Sequence, residues 1–214
     1  SSVNNNEQAF DAGFPVDLLI RKDPTQTYDF LVLDRIRGHS DFLETNTDLA
    51  EATTAYANQF DSSTGIVSDT AFNFSAHYAW MWRRAHGYFD QVCYLGTGGT
   101  HNVSHNLGVV PEMMWVKCRN AAENWAVYHK DLNGGTNPEQ YYIRLNQTNT
   151  QTQSSAHWNN TAPTSSVFTV STQGHVNGAG KHYIAYLFAS VPGVSKVGTV
   201  NITSTSNFNV DCGF

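Results

Sequence analysis

Short apolar runs separated by turn-forming residues dominate the pattern of the chain. Residues 29–33, 125–129 and 183–189 are rich in Val, Ile, Tyr, Phe and Trp, the residue types that favour strands. Clusters of Gly, Asn, Pro and Ser, such as 132–138, separate these runs. At about seven short strands per hundred residues, the pattern predicts an all-β protein made of antiparallel β-sandwiches with a jelly-roll-like topology.

One segment departs from this strand pattern. Residues 47–58, TDLAEATTAYAN, predict one or two turns of helix. The segment that aligns with it later in the chain, 147–156, is rich in Thr, Ser and Gln and is predicted to be a loop.

The chain also aligns with itself. At an offset of 95 positions, Gly13 matches Gly108 and Asp17 matches Glu112, and each glycine stands at the entry to an apolar strand. Each glycine permits a positive φ or a tight bend at the entry to a strand, where a side chain would clash, and at Gly108 we expect a positive φ. Six residues are predicted to share strand positions with six others, the first four at the same offset and the last two after the offset has drifted: Leu19, Ile20, Phe30, Val32, Ala79 and Trp80 with Met114, Trp115, Trp125, Val127, Ala185 and Tyr186.

This self-similarity predicts tandem repeats. The first β-sandwich repeat is expected over residues 1–95 and the second over 96–200, and 201–214 would be the start of a truncated third. Asp211 to Phe214 resembles Asp11 to Phe14, and the chain begins without Met. We therefore expect the 214 residues to be an internal piece of a longer polypeptide.

Composition and charge exclude several classes of function. Charged residues make up 14% of the chain and the net charge is -6, so no basic footprint for nucleic acid is present. No run of about 18 apolar residues occurs, and membrane insertion is not expected. Three cysteines without metal-ligand spacing predict free, mostly buried thiols under reducing conditions.

Catalytic and metal-binding chemistry find little support in the sequence. Six of the nine histidines fall in the second repeat, yet they are scattered and form no HExxH motif. We find no facing pair of carboxylates, no GxSxG elbow and no phosphate loop in the sequence. The expectation is a protein that is not an enzyme and has no metal or cofactor.

Ligand binding is a weaker but open interpretation. Aromatic faces can stack on sugars while amide groups bind the hydroxyls. The five tryptophans align with large apolar or aromatic residues in the other repeat, which favours a role in the framework. Better candidates lie on variable loops: Tyr56, Asn137, Tyr141, Asn159 and Asn160.

Several segments together resemble a known family. They read NLGVVPEMMWVKCR, ENWAVYHKDL, YYIRLN, SSVFTV and HYIAYLFASVPGVSKVG, and they are similar to a tandem β-rich repeat of tail-fibre-like virion proteins in marine tailed bacteriophages. The resemblance covers nearly the whole chain. It implies a structural repeat segment of a tail fibre or virion appendage that could also be adhesive, and it brings no catalytic residues.

The resemblance also implies partners and a location. The partners would be other copies of the chain, other virion proteins or a host surface glycan, and the protein would be assembled in the host cytoplasm and reside in the virion. The alternative is a carbohydrate-binding module that contacts host surface glycans through the loop residues named above.

Overall fold

The computed structural model of the chain describes residues 8–54, 58–68, 77–202 and 209–213. Over these residues the chain folds into antiparallel β-sheets, with two short α-helices and two 3-10 turns. The predicted all-β, sandwich-like fold is confirmed.

The N-terminal strands form two sheets. The strands are β1 (Gln8–Asp11), β2 (Leu18–Lys22), β3 (Leu31–Asp34), β4 (Gly38–Glu44), β5 (Ala52–Thr53), β6 (Asn58–Gln59), β7 (Gly65–Ser68) and β8 (Tyr78–Trp82). The larger sheet has the order β5-β4-β3-β2-β8, and the smaller one has the order β1-β7-β6. We refer to β1 to β8 as the first repeat.

The C-terminal elements form the second repeat. They are β9 (Phe89–Leu95), β10 (His101–Ser104), β11 (Met113–Cys118), β12 (Ala126–His129), the 3-10 turns Leu132–Gly135 and Pro138–Gln140, β13 (Tyr141–Arg144), β14 (Thr152–Gln153), α1 (Ser155–Trp158), β15 (Val167–Val170), α2 (Gly174–Asn177) and β16 (His182–Phe188). The large sheet has the order β14-β13-β12-β11-β16-β9, and β10 pairs with β15. The first repeat was expected to end at residue 95, which is the last residue of β9. Because β9 hydrogen-bonds to β16, we group it with the second repeat.

The register of the two large sheets is the same. Ile20 lies opposite Val32 on one side and Trp80 on the other. In the second repeat, Trp115 lies opposite Val127 and Tyr186 in the same way. The prediction that these residues share strand positions is confirmed.

A carboxylate ties the strands of the first repeat together at this point. Asp17 donates its backbone N–H to the carbonyl of Trp82 at 2.8 Å. Its carboxylate accepts the backbone N–H of Arg84 at 2.7 Å and pairs with the Arg35 guanidinium at 2.9 Å. We call this arrangement the acidic clamp.

Glu112 forms the same acidic clamp in the second repeat. Its backbone N–H donates to the carbonyl of Phe188 at 2.9 Å. Its carboxylate accepts the backbone N–H of Ser190 at 3.0 Å and pairs with the Lys130 ammonium at 2.9 Å. The alignment of Asp17 with Glu112 therefore reflects the same hydrogen-bonding role in both repeats.

An asparagine just after β4 has a counterpart just after β13. The Asn46 side chain accepts the backbone N–H of Phe30 at 3.2 Å. The Asn146 side chain accepts the backbone N–H of Trp125 at 3.1 Å. Each amide thereby satisfies a backbone donor just before a strand begins.

The two large sheets pack face to face. On their outer faces, each large sheet packs against the small sheet of its own repeat, in two separate apolar clusters. The inner faces form one shared cluster, whose members are Leu18, Ile20, Val32, Leu43, Phe89, Trp125, Ile184, Tyr186 and Phe188. The molecule is thus a stack of four layers, and its central core belongs to both repeats.

Two local expectations were wrong. Residues 47–54 are not helical, because their backbone groups bond to the second repeat: Asp48 accepts the N–H of Glu123 and Glu51 donates to Arg119. Conversely, the predicted loop 147–156 contains the start of α1, whose first turn is capped by Ser154. Tertiary hydrogen bonds and a cap outweighed weak propensity in both places.

The cysteines were predicted to be free and mostly buried. They are free, but only Cys118 is buried, while Cys93 and Cys212 are exposed. Cys93 lies on β9, the edge strand of its sheet, where a neighbouring strand covers its side chain on one side only.

Neither α-helix could span a membrane. Among the described residues, α1 and α2 have four residues each.

The entry turn of the second repeat provides a test of the fold. Gly108 has a φ of 77°, as predicted, and an added Cβ would meet the ring of His86. We expect Gly108→Val to lower the free energy of unfolding by about 1–3 kcal/mol, because a β-branched residue resists positive φ. Chemical denaturation measures this. Gly99→Ala is the control, since Gly99 has open space and no positive φ, and equal losses in both variants would contradict the prediction.

Candidate functional site at the junction between the repeats

A buried ion pair begins the junction. β3 ends at Asp34, and the chain turns through Gly38, whose φ is 111°. Arg37 folds back across this turn: its backbone N–H donates to Asp34 Oδ1 at 2.9 Å and its Nε to Asp34 Oδ2 at 2.5 Å. Both side chains are fully buried. Arg37 also donates to the carbonyl of Val32 at 2.8 Å.

The second repeat completes this ion pair. Tyr186 donates its hydroxyl to Asp34 Oδ2 at 2.6 Å. Glu51 accepts from Arg37 Nη1 at 2.9 Å and from Arg119 at 2.8 and 2.9 Å. The charges alternate from Asp34 through Arg37 and Glu51 to Arg119, so a continuous network crosses from one repeat to the other.

The network sets the charge states of its members. Burial alone would lower the pKa of Arg37, but Tyr186, Asp34 and Glu51 around it outweigh burial and raise that pKa. Burial would raise the pKa of Glu51, yet its bonds to Arg119 and Arg37 lower it. Burial raises the pKa of Tyr186 well above its ordinary value. Ionised Arg37 and Glu51 therefore face each other beside a neutral tyrosine.

Backbone contacts add to the network. Lys117, fully buried on β11, donates its ammonium to the carbonyl of Asp48 at 3.0 Å and to that of Glu123 at 2.7 Å. Burial lowers the pKa of Lys117 to about 8. The N–H of Glu123 bonds to the same Asp48 carbonyl at 2.9 Å, and the N–H of Glu51 bonds to Arg119 at 2.7 Å. The segment between β4 and β5 is thus held against the second repeat.

Aromatic packing completes the junction on the other side. Trp125 donates its indole N–H to the carbonyl of Glu44 at 2.7 Å and stacks on Tyr186 with 6.3 Å between ring centroids. Both rings are fully buried. The equivalent rings of the first repeat, Phe30 and Trp80, lie 6.1 Å apart but are 37% and 44% exposed. The framework role expected of the tryptophans therefore holds for Trp125 and not for Trp80.

A cysteine thiol lies at the edge of the junction. Cys93 lies 3.9 Å from Arg119 Nη1. Although the residue is exposed at the sheet edge, partial desolvation of its sulfur raises the pKa of the thiol, which disfavours the reactive thiolate. In the ranges that the structure describes, no group of three or more His, Cys, Asp and Glu side chains could hold a metal ion. The arrangement holds two sheets together.

A second polar group lies inside the second repeat. His157 is fully buried, stacks on Tyr142 at 3.6 Å between ring centroids, and places Nε2 3.4 Å from Nδ1 of His175. Burial lowers the pKa of His157 to about 3, so the ring is neutral. His175 lies 3.6 Å from Glu123. No spacing motif in the sequence marks this pair, because its members come from α1 and α2.

The loop residues predicted to bind a ligand are placed as follows. Tyr56 lies outside the described residues. Asn137, Asn159 and Asn160 are exposed and have φ values of 49°, 53° and 49°, a region that asparagine tolerates better than most residues. Tyr141 is half-buried and its carbonyl accepts the indole N–H of Trp158 at 3.0 Å.

These four described candidates come from adjoining elements. The 3-10 turn after Asn137 contacts α1, whose C-terminal cap is Asn159, and α1 also contacts β13, which starts at Tyr141. The positive φ values give the asparagines a role in shaping the backbone. Whether they bind a ligand stays a prediction.

The residues of the charged network had no signal in the sequence that singled them out. Asp34 and Arg37 sit in the stretch DRIRG, where charged residues interrupt an apolar run. Such an interruption is ordinarily a surface turn. Only the partner charges of Glu51 and Arg119, 14 and 68 positions from their respective partners in sequence, make it a buried site.

Comparison with known proteins gives the family. A family model described as "Domain of unknown function (DUF7483)" matches residues 2–214. The chain belongs to this family. No curated protein and no solved structure matches it. The family covers both repeats together, and its description carries no function.

The network predicts a measurable loss of stability. Glu51→Gln keeps the size of the side chain but removes the negative charge between Arg37 and Arg119. We expect the free energy of unfolding at pH 7 to fall by about 1.5–3 kcal/mol, the range for hydrogen bonds to charged groups. Urea denaturation measures the difference.

The same variant predicts a pH dependence. Because the pKa of Glu51 is lowered on folding, its contribution is complete above the ordinary value of 4.5 and is lost as pH falls below it. The difference in free energy of unfolding between the native protein and Glu51→Gln should therefore become smaller below pH 4.5. Glu139→Gln is the matched control. If the difference in free energy of unfolding between the native protein and Glu51→Gln did not change with pH, the assigned role of ionised Glu51 would be contradicted.

Proposed function

We propose that the chain is a structural repeat segment of a phage-like tail fibre or other virion appendage. The observation that supports this most is the junction, in which two successive repeats share one core and one charged network. A spacer in an appendage must resist bending between its units. A shared core and paired buried charges provide that resistance, whereas a flexible linker would not.

The connection between the repeats supports the same proposal. Arg84 belongs to the acidic clamp of the first repeat. β9 follows it in the chain and forms the edge of the second repeat's large sheet. On the way, Asp90 pairs with Arg84 at 2.7 Å and Gln91 donates to the carbonyl of Asp17 at 3.3 Å. The strand thus touches both repeats, so their relative position is set by hydrogen bonds.

The surface fits an extracellular structural role. Few charges and many Ser, Thr, Asn and Gln residues give a nearly neutral polar surface. Such a surface does not attract nucleic acid. The partners in this proposal are other copies of the chain or other virion proteins, and the chain acts in the virion after assembly in the host cytoplasm.

The test is the location of the chain in purified virus particles. Antibodies against the purified chain should label an appendage in electron micrographs, and mass spectrometry should recover peptides such as those spanning β11 and β12 from the same particles. A capsid protein is the internal standard for particle number. Recovery of the chain in the soluble lysate but not with particles would contradict the proposal.

A carbohydrate-binding module is the second candidate. The observation that favours it is that Asn137, Tyr141, Asn159 and Asn160 lie in or next to elements that contact one another. Exposed amides beside a tyrosine could bind the hydroxyls and one face of a sugar. Host surface glycans are the proposed ligand class.

A glycan array distinguishes this candidate. If the loops bind sugar, the purified chain should bind defined glycans and Tyr141→Ala should weaken that binding at least tenfold. Tyr28→Ala is the control, because Tyr28 is an exposed tyrosine on the first repeat. Equal binding by both variants, or none by the native chain, would count against a glycan site here.

A further inference from the structure

The outer edge of β8 is open within the described residues. Among the described residues β8 pairs only with β2. In the second repeat, the equivalent edge of β16 is filled by β9, with Phe89 opposite Phe188 and Leu95 opposite His182. An open edge presents unpaired backbone groups that accept a further strand.

Exposed aromatic rings lie beside this open edge. Tyr78, Trp80 and Phe30 are 63%, 44% and 37% exposed. Trp80 lies opposite Ile20, which belongs to the shared core, so its ring is on the inner face of the sheet. The matching ring in the second repeat, Tyr186, is covered by the other repeat. The second repeat thus shows what a filled edge and a covered face look like.

A segment that matches β9 follows the second repeat. Before β9, Ala85 bridges to Phe89 around Gly87, which has a φ of 78°. After β16, Val191 bridges to Ser195 around a glycine with a φ of 75°. The offset is 106 positions, the same as between β8 and β16. Residues 195–201 therefore stand where β9 stands in the preceding unit.

This segment has no strand partner in the described ranges. Residues 196–202 have no strand assignment. Val200 is 49% exposed and Ile202 is 71% exposed. Its own copy holds it by few contacts: Val197 packs against the shared core and donates its N–H to the Ser190 hydroxyl at 2.9 Å. The Thr199 hydroxyl donates to the Asp131 carboxylate at 3.3 Å. β9 is likewise held at its start, where Phe89 packs in the shared core.

We propose that residues 195–201 of one copy of the chain add to β8 of a second copy as an antiparallel strand, in the register that β9 adopts on β16. The offset of 106 then places Val197 opposite Trp80 and Thr199 opposite Tyr78. Pairs of an aromatic and a β-branched residue are favourable across antiparallel strands. The backbone supplies the remaining hydrogen bonds, as in other cases of strand addition.

The association is open-ended. In a chain of these 214 residues, one donor segment and one acceptor edge lie on different repeats, so the contact between copies is heterologous and generates chains rather than a closed dimer. This inference rests on the proposed role in a virion appendage only for what the association would do in the virus. The experiment uses purified chain, so its failure would leave the particle experiment unaffected.

The experiment measures mass against concentration by light scattering and sedimentation velocity. The native chain should grow from 23.7 kDa through dimers to longer species as concentration rises. Trp80→Lys should weaken association at least tenfold by placing a charge at the acceptor edge. The double variant Gly198→Pro/Thr199→Pro should do the same from the donor side. Adjacent residues point their N–H groups to opposite sides of a strand, so one proline must remove a ladder bond.

Mixing the two variants is the decisive step. Each retains one working surface, so an equimolar mixture should form a dimer that does not grow further. Val110→Lys and Asn149→Pro/Thr150→Pro are the matched controls on exposed positions elsewhere, and they should associate like the native chain. If circular dichroism shows that Trp80→Lys is unfolded, Tyr78→Lys replaces it.

Three results would overturn the proposal. One is a native chain that remains at 23.7 kDa at every concentration up to the solubility limit. Another is association that both variants leave unchanged. The third is a mixture of the two variants that stays monomeric, since the intact edge of one copy and the intact segment of the other should then meet.

Discussion

The structure depends on the guanidinium of Arg37. A buried cation is costly unless its partners surround it, and here Asp34 and Glu51 pair with it and Val32 accepts a further hydrogen bond. Asp34 is in turn bonded by Tyr186. Because this last partner comes from the second repeat, the first repeat cannot bury its own ion pair fully without its neighbour.

This constraint explains why the repeats form a stack rather than two independent sandwiches. Each large sheet covers one face with its own small sheet and leaves the other face apolar. The two apolar faces meet in one cluster. Burial of that apolar area stabilises the pair, at about 25 cal/mol per Å² removed from water, and the charged network sets the register in which the faces meet.

The two repeats use the same positions unequally. Trp125 and Tyr186 are buried under the first repeat, whereas their equivalents Phe30 and Trp80 remain partly exposed. The contact is therefore not symmetric: the β3 and β4 side of one sheet covers the β16 side of the other. An asymmetric contact of this kind leaves each end of the stack with a surface that a further repeat could contact, which suits a protein that extends by repetition.

The sequence by itself determined the all-β class, the matching strand positions and the two entry turns. Local periodicity predicts strands, and a glycine that needs positive φ can be recognised from its neighbours, as Gly13 and Gly108 were. Equivalent strand positions followed from the alignment, because side chains that fill the same site have similar size and polarity. The acidic residues Asp17 and Glu112 were aligned correctly, although their clamp role was not foreseen.

Only the tertiary structure decided how the repeats meet and which charges are buried. Residues 47–54 favour a helix locally, but bonds to Arg119 and Glu123 replace the helical hydrogen bonds. Likewise, Arg37 and Glu51 look like surface residues until the second repeat brings Arg119 and Tyr186 to them. Contacts between residues far apart in sequence leave no periodic trace, since each partner satisfies the other only after the sheets have packed.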